Sequence, residues 1–427
     1  MDHASDPSGE ALPELPRVAG TRALGQTRPL LKKAVFLGPA FVAAIAYIDP
    51  GNYATNIQAG AQHGYMLMWV IVWANLMAIL IQAMSSKLGL ATGLSLAEML
   101  RLRLPTWARW IYWGQAEVIA IATDIAEFVG AALGFKLLFG ISLLDGAVLT
   151  GIVSWAILSI ERRSLKRLEL LIGCMLGAVA LIYLIELAVS HPEPAAIAKG
   201  ALIPVLSGKS SIYLAAGILG ATVMPHVIYL HSALSRSDAQ AFATASRREL
   251  WGSSRWDVAI AMSMASFVNL AMLAMAAKVF YPAHSDIAEI ETAYKTLEPL
   301  LGAFATHIFG LSLIVAGLAS TTVGTLAGQE VMQDFVGFRI PVFARRVVTM
   351  VPSFLVIMSG FDTTQALVLS QVVLSLGITF ALAPLVIFTN RRSIMGDLVN
   401  GKVTKAAAWL VLFLIVGLNI LLLATIT

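Results

Sequence analysis

The amino-acid sequence predicts an all-helical protein that crosses a membrane many times. Three observations carry that prediction. Of the 427 residues, 58% are hydrophobic and 13% are charged, about half the charged share of an ordinary soluble domain, and the mean hydropathy is +0.80. Apolar runs close to the ~20 residues needed to cross a hydrocarbon core recur along the whole length. The basic residues gather in alternate connections between those runs, as they do when one side of the membrane holds the cationic loops.

Eleven spans follow, at roughly 35–62, 66–90, 108–136, 144–160, 168–190, 210–234, 257–281, 299–332, 346–361, 365–389 and 406–426. They are helices because a lipid-exposed backbone must satisfy its own hydrogen bonds. The fourth and ninth runs are short, which marks them as the least lipid-exposed or the most poorly bounded. With the N-terminus placed inside, only Lys136, Lys199, Lys209, Lys278 and Lys295 of the 29 Lys and Arg fall outside. One missed span would invert that bias from there on, so it supports both the count and the orientation. An odd number of spans puts the C-terminus on the outer side of the cell (inner or plasma) membrane.

Residues 1–33, with Pro7, Pro13, Pro16 and Pro29 among scattered charges, read as a disordered cytoplasmic tail with no visible signal peptide. Residues 34–427 read as one transmembrane domain. The sole cysteine, Cys174, excludes an internal disulfide. A pI near 9.1 reflects cationic loops rather than nucleic-acid binding. The outer connection before the eighth span is acidic (Asp286, Glu289, Glu291, Glu298) and reads as an ordinary solvated loop, with a cation-collecting vestibule as the other reading.

Two spans are interrupted. The first carries "AYIDPGNYATN" at 46–56, which sets Asp49 beside Pro50, Gly51 and Asn52. The sixth carries "GILGATVMPHVIYLHS" at 217–232, which sets Met224 and His226 around Pro225. A proline in a helix is most often a plain kink. A carboxylate at membrane depth, however, costs at least ~2.5–3.5 kcal/mol and marks a functional site by default. Each proline lacks an N–H, so the carbonyls of Ala46 and Ala221, four residues back, lose their helical donors. The Asp49 carboxylate, the Asn52 amide oxygen, those two carbonyls and the Met224 thioether together make a cage for a cation. The thioether sets the metal class: sulfur contributes little to Ca²⁺ or Mg²⁺, whereas a mixed oxygen and sulfur set tolerates Mn²⁺ and Fe²⁺ and accepts Cd²⁺. Taken alone, Met224 is more often a packing residue; its place one residue before Pro225 and His226 brings the two readings level. Broken helices five spans apart point to inverted repeats, 35–190 and 210–389, with the site at the midplane.

The third span holds Glu117, Asp124 and Glu127, seven and three residues apart and therefore on one helical face. Such a stripe should face the bundle interior and carry water, protons or paired cations. His226 has two readings, a metal ligand or a proton-handling group. The proline break sets it apart from Met224 and favours the second.

"DPGN" in the first span together with "MPH" in the sixth resembles the Nramp family (natural resistance-associated macrophage proteins), proton-coupled divalent metal transporters. "GLASTTVGTLAGQEVMQDF" at 317–335 resembles the family's eighth span. The resemblance runs from about residue 35 to the C-terminus. It implies the leucine-transporter-like fold, with 406–426 as an extra helix, and import of Mn²⁺ and Fe²⁺, with Cd²⁺ and Co²⁺ also accepted, together with protons. By motif it carries over Asp49, Asn52, Met224, Ala46 and Ala221 as metal ligands, and Gln371 as a ligand of the occluded site or a plain helix–helix hydrogen bond. It places Asp124, Glu127 and His226 on a proton route from Asp49. Glu117 lies on the same acidic stripe, and Arg345 and Arg346 are the paired cations. Both arginines also sit where inside-positive charge is expected. An arriving cation favours the ionised form of Asp49, so metal binding and proton release are linked.

No cofactor or enzymatic activity is expected. There is no His-Glu-x-x-His, no Gly-x-Ser-x-Gly and no paired cysteine ligands, and "GKSS" at 208–211 lacks the upstream glycine of a nucleotide loop, Ile203 standing there. Gradients, not nucleotides, therefore supply the energy. The alternative on the same fold is a sodium-coupled transporter of small organic solutes. The fixed anion at Asp49 argues against it, because it would repel a substrate carboxylate. The oligomeric state is open, a monomer included.

Overall fold

The computed structural model describes residues 38–161, 164–285, 287, 289–338 and 341–426. The tail assigned to 1–33 lies outside them, as do Arg162, Arg163, Asp286 and Arg339. All regular structure among the described residues is helical. The first half contains α1 (Pro39–Ala46), α2 (Pro50–His63), α3 (Met68–Thr92), α4 (Leu96–Arg103), α5 (Thr106–Phe139), α6 (Leu143–Glu161), α7 (Leu165–Ser190) and α8 (Pro194–Leu202). The second half contains α9 (Gly208–Thr222), α10 (Pro225–Ala241), α11 (Arg247–Phe280), α12 (Ile290–Leu301), α13 (Ala303–Val336), α14 (Val342–Met358) and α15 (Thr363–Thr389). A short α16 (Arg392–Met395) and a long α17 (Lys402–Ile426) follow.

Both expected breaks are present. The first span divides into α1 and α2, with Asp49 extended between them (φ −66°, ψ 166°). The sixth divides into α9 and α10, with Met224 extended (φ −84°, ψ 119°). In each case proline opens the second half-helix, where its missing N–H is one the helix would leave unpaired anyway and its fixed φ is already helical. The other ends follow ordinary capping chemistry. Ser95 with Glu98, and Ser246 with Glu249, form capping boxes at the starts of α4 and α11. Gly140 closes α5 in the left-handed conformation.

Nine stretches of the described residues are long and apolar enough to cross a membrane. The difference from eleven has two sources: α14 has only 17 residues, and the broken first span is run together with the second as Pro50–Thr92. The α9–α10 stretch is 89% buried and forms the centre of the bundle, where it meets α2, α3 and α15. α5 and α13 form the most extensive helix pair.

Two expectations fail. Of the two readings of the short fourth and ninth spans, least lipid-exposed or most poorly bounded, the first fails. α6 is only 39% buried, and Val348 and Leu355 of α14 are each 61% exposed. Both helices pack one face on α5 at the periphery, so their shortness reflects where their ends fall, not burial. The acidic connection before the eighth span is also not a plain loop. Much of it is α12, which buries Ile290, Ala293 and Leu297 on one face and pairs Glu291 with Lys136 of α5 at 2.6 Å.

Candidate functional site

The break in the first span is held open by side chains. Asp49 is fully buried and caps α2: its Oδ1 accepts the Asn52 backbone N–H at 2.9 Å and the Asn52 Nδ2–H at 2.8 Å. Gln371 of α15 donates from Nε2 to the other carboxylate oxygen at 3.2 Å. Asn52 also donates from Nδ2 to the carbonyl of Ala221, at 3.0 Å, and so joins the two breaks across the bundle. The Ala46 carbonyl is not left without a donor: the Asp49 N–H closes a tighter turn onto it at 3.3 Å. Met224 is fully buried at the second break. Asn52 Oδ1 and Gln371 Oε1 are buried and have no hydrogen-bond partner among the described residues. Two amide oxygens are therefore free to accept a ligand beside a carboxylate that already has three donors.

Of the expected ligands, the structure ties Asp49, Asn52, Gln371 and the Ala221 carbonyl into one hydrogen-bonded cluster. Ala46 and Met224 stand at the ends of the broken segments that frame it. No group of three or more His, Cys, Asp or Glu suited to a metal occurs among the described residues. The cluster therefore offers one carboxylate among neutral oxygens.

The acidic stripe of α5 meets the start of α14. Arg346 is completely buried and donates to Asp124 Oδ1 at 2.7 Å, to Thr325 Oγ1 at 3.3 Å and to Ser154 Oγ at 3.2 Å. Its guanidinium lies 5.3 Å from the centre of the Phe128 ring. Thr321 of α13 also donates to Asp124 Oδ1, at 3.0 Å. Arg345 pairs with Glu117 at 2.6 Å. Neither arginine is a solvated inside-positive charge: they are 2% and 0% exposed. Glu127 is fully buried, and its carboxylate oxygens have no partner of good hydrogen-bond geometry among the described residues. His226 shares a hydrogen bond between Nδ1 and Thr123 Oγ1 at 3.2 Å, while its Nε2 is unpartnered. Of the other histidines, His231 is satisfied by Gln82 at 2.8 Å.

Two glycines make this packing possible. A Cβ at Gly130 of α5 would overlap the ring of Pro50, so α5 lies directly against the first break. A Cβ at Gly324 of α13 would overlap the Glu127 carboxylate. Sequence reading missed the hydroxyl partners Thr123, Ser154, Thr321 and Thr325, because a lone Ser or Thr in a span carries no distinguishing spacing. It also missed Asn269 of α11, which donates to the Tyr47 carbonyl at 2.8 Å and accepts from Asn56 at 3.2 Å. An isolated Asn within an apolar run was the available signal.

Two helices broken at matching positions, with a single carboxylate and unpaired oxygens between them, are the arrangement of a membrane transporter. A family model described as natural resistance-associated macrophage protein-like matches residues 40–425, and the chain belongs to that family. It is 58% identical over 398 residues, 93% of this chain and 96% of the relative, to a protein of Yersinia pestis named divalent metal cation transporter MntH. A crystal structure of the Eremococcus coleocola manganese transporter superposes with TM-score 0.82 at 30% identity, covering 94% of this chain and 88% of that one. Mhp1, a nucleobase-cation-symport-1 family transporter, shares the fold alone, at TM-score 0.58 and 14% identity over 91% of this chain and 92% of its own. The architecture is the leucine-transporter-like fold of a polytopic membrane protein.

Proposed function

We propose that this chain imports divalent transition-metal ions, Mn²⁺ and Fe²⁺ first and Cd²⁺ and Co²⁺ besides, coupled to proton entry. The observation that carries the reading is the Asp49–Asn52–Gln371 cluster. It offers one buried carboxylate and two unpartnered amide oxygens, with the thioether of Met224 at the facing break. Such a donor set suits a dehydrated ion of intermediate softness better than Ca²⁺ or Mg²⁺. The names of the Yersinia and Eremococcus proteins support the same cargo. An organic-solute transporter of this fold would place a substrate carboxylate where Asp49 stands, and the two anions would repel.

For the proton, Asp49 is the first acceptor, since proton and metal compete for its oxygens. His226, Glu127 and Asp124 continue the route. Arg346 holds the Asp124 carboxylate in place, and the Glu117–Arg345 pair extends the line along α5 and α14. The domain runs from 34 to 427, with 35–190 and 210–389 as inverted repeats and 406–426 as the additional helix. It sits as eleven spans in the cell membrane, N-terminus in the cytoplasm and C-terminus outside.

Mn²⁺ uptake into proteoliposomes with a pH reporter inside tests the reading. Wild type should acidify the lumen in step with metal entry, and Asp49→Ala should do neither. Metal entry without acidification would remove the coupling. Undiminished uptake by Asp49→Ala would remove the site.

A further inference from the structure

A second polar cavity lies far from the two breaks, where the end of α3, the start of α11 and the connection into α17 meet. It has a volume of about 520 Å³ and is lined by Lys87, Arg248, Trp251, Gly252, Arg255 and Asp397 among others. Lys87 is 7% exposed. Its ammonium donates to Asn400 Oδ1 and lies 5.5 Å from the centre of the Trp251 ring. Both partners are uncharged. Asn400 is held in place because its Nδ2 donates to Thr389 Oγ1 at 3.0 Å and to Asn390 Oδ1 at 2.9 Å. Arg248 reaches Asp397 at 3.3 Å, but both side chains are at least 70% exposed, where such a pair is weak. Arg255 reaches no carboxylate among the described residues and lies 5.9 Å from the centre of the Trp256 ring. Three cations thus face one solvated carboxylate, and the most buried cation has no counter-charge among the described residues.

An apolar groove of about 530 Å³ begins at the next residue of the same helix. Trp256, Ala259, Ile260, Ser263, Met264 and Phe267 line it, against Ala180 of α7. The twelve residues of helix from Trp256 to Phe267 span roughly 16 Å, a length suited to much of an acyl chain. Trp256 is 58% exposed beside Arg255, and tryptophan next to arginine at a span end marks headgroup depth.

From this we infer a binding site for one anionic phospholipid, its phosphate among Lys87, Arg248 and Arg255 and an acyl chain along the α7–α11 groove. The phosphate supplies the counter-charge that Lys87 lacks. The groove distinguishes a lipid from free phosphate, which has nothing to place there. A basic pocket between membrane helices is a known form of headgroup recognition.

The test uses the full chain, stripped of lipid in detergent, with occupancy read by native mass spectrometry. Phosphatidylglycerol, phosphatidylcholine with the same acyl chains, and inorganic phosphate form three arms. Wild type should retain phosphatidylglycerol over phosphatidylcholine, and inorganic phosphate should not displace it. Arg248→Gln with Arg255→Gln should cut that preference roughly thirtyfold, from about 1 kcal/mol per cation. Lys87→Gln should abolish most of what remains. If Lys87→Gln does not fold, the two exposed arginines carry the test alone. Equal retention of the two lipids, or an unchanged preference in the double variant, would overturn the site. Displacement by inorganic phosphate would overturn the lipid as its occupant.

Discussion

Arg346 and Asp124 allow a structural role to be separated from a transporting one. Asp124→Asn removes the negative charge but keeps the side-chain shape. Arg346, 0% exposed, then keeps neutral acceptors, an amide oxygen and the hydroxyls of Thr325 and Ser154 at 3.3 and 3.2 Å, and the Phe128 ring, but loses the carboxylate it pairs with. Stranding a buried charge in this way costs about 3–5 kcal/mol, a fall in the folded-to-unfolded ratio of between about a hundredfold and a few thousandfold. Replacing both partners by apolar groups of similar size, Asp124→Leu with Arg346→Met, removes the stranded charge and should recover most of that loss. Equilibrium unfolding in mixed micelles measures both variants. The double variant should fold, bind Mn²⁺ at the intact Asp49 cluster and carry no coupled proton current. A single variant within about 1 kcal/mol of wild type would refute the buried-pair reasoning. So would a double variant no more stable than the single one. Normal proton coupling in a folded double variant would remove the pair from the proton route.

Asp49→Asn should leave the α2 cap in place, because an amide oxygen still accepts from the Asn52 N–H, while Mn²⁺ affinity by calorimetry falls more than about a hundredfold with loss of the only anion. Met224→Ala should narrow the preference for Mn²⁺ over Ca²⁺ in competition binding, and an unchanged ratio would return Met224 to packing. Metal and proton compete for the same oxygens, so apparent Mn²⁺ affinity should weaken as pH falls. Asp49→Asn should flatten that slope, and an equally steep slope in the variant would move the competition to another group. Gly130→Ala should destabilise by about 1–3 kcal/mol, because its Cβ would overlap the rigid Pro50 ring, and unchanged stability in the same unfolding assay would refute the close approach of α5 to the first break.

The parts of the fold that could be read from sequence were those with a strong local signal. Pro50 and Pro225 announce both breaks because no other residue removes a backbone donor. Glu117, Asp124 and Glu127 announce an interior face because three acids at helical spacing do not belong in lipid. What could not be read was set by distant partners. The role of Asn269 depends on a carbonyl 222 positions earlier in the chain, and the hydroxyls around Arg346 come from α6 and α13. The Ala46 carbonyl was expected to stand free, since Pro50 removes its helical donor. Local backbone geometry decided otherwise, by turning the Asp49 N–H onto it. Short helices such as α4 and α8 were missed because 8 or 9 residues carry too little apolar periodicity to stand out from a loop, and α12 was read as a loop because of its acids, Glu291 and Glu298. Burial of α6 and α14 was misjudged because span length does not report position in the bundle.

The first half of the first span is a rod of only eight residues, fastened at its far end by Asp257 of α11, which accepts the Gly38 and Ala40 N–H groups at 3.2 and 3.1 Å. An unbroken helix can swing its end only by rupturing a ladder of backbone bonds along the bend. Here no such ladder crosses Asp49, because the break is made when the chain folds. Swinging α1 therefore reduces to unfastening a small lever at its tip, with Asp49 at its pivot.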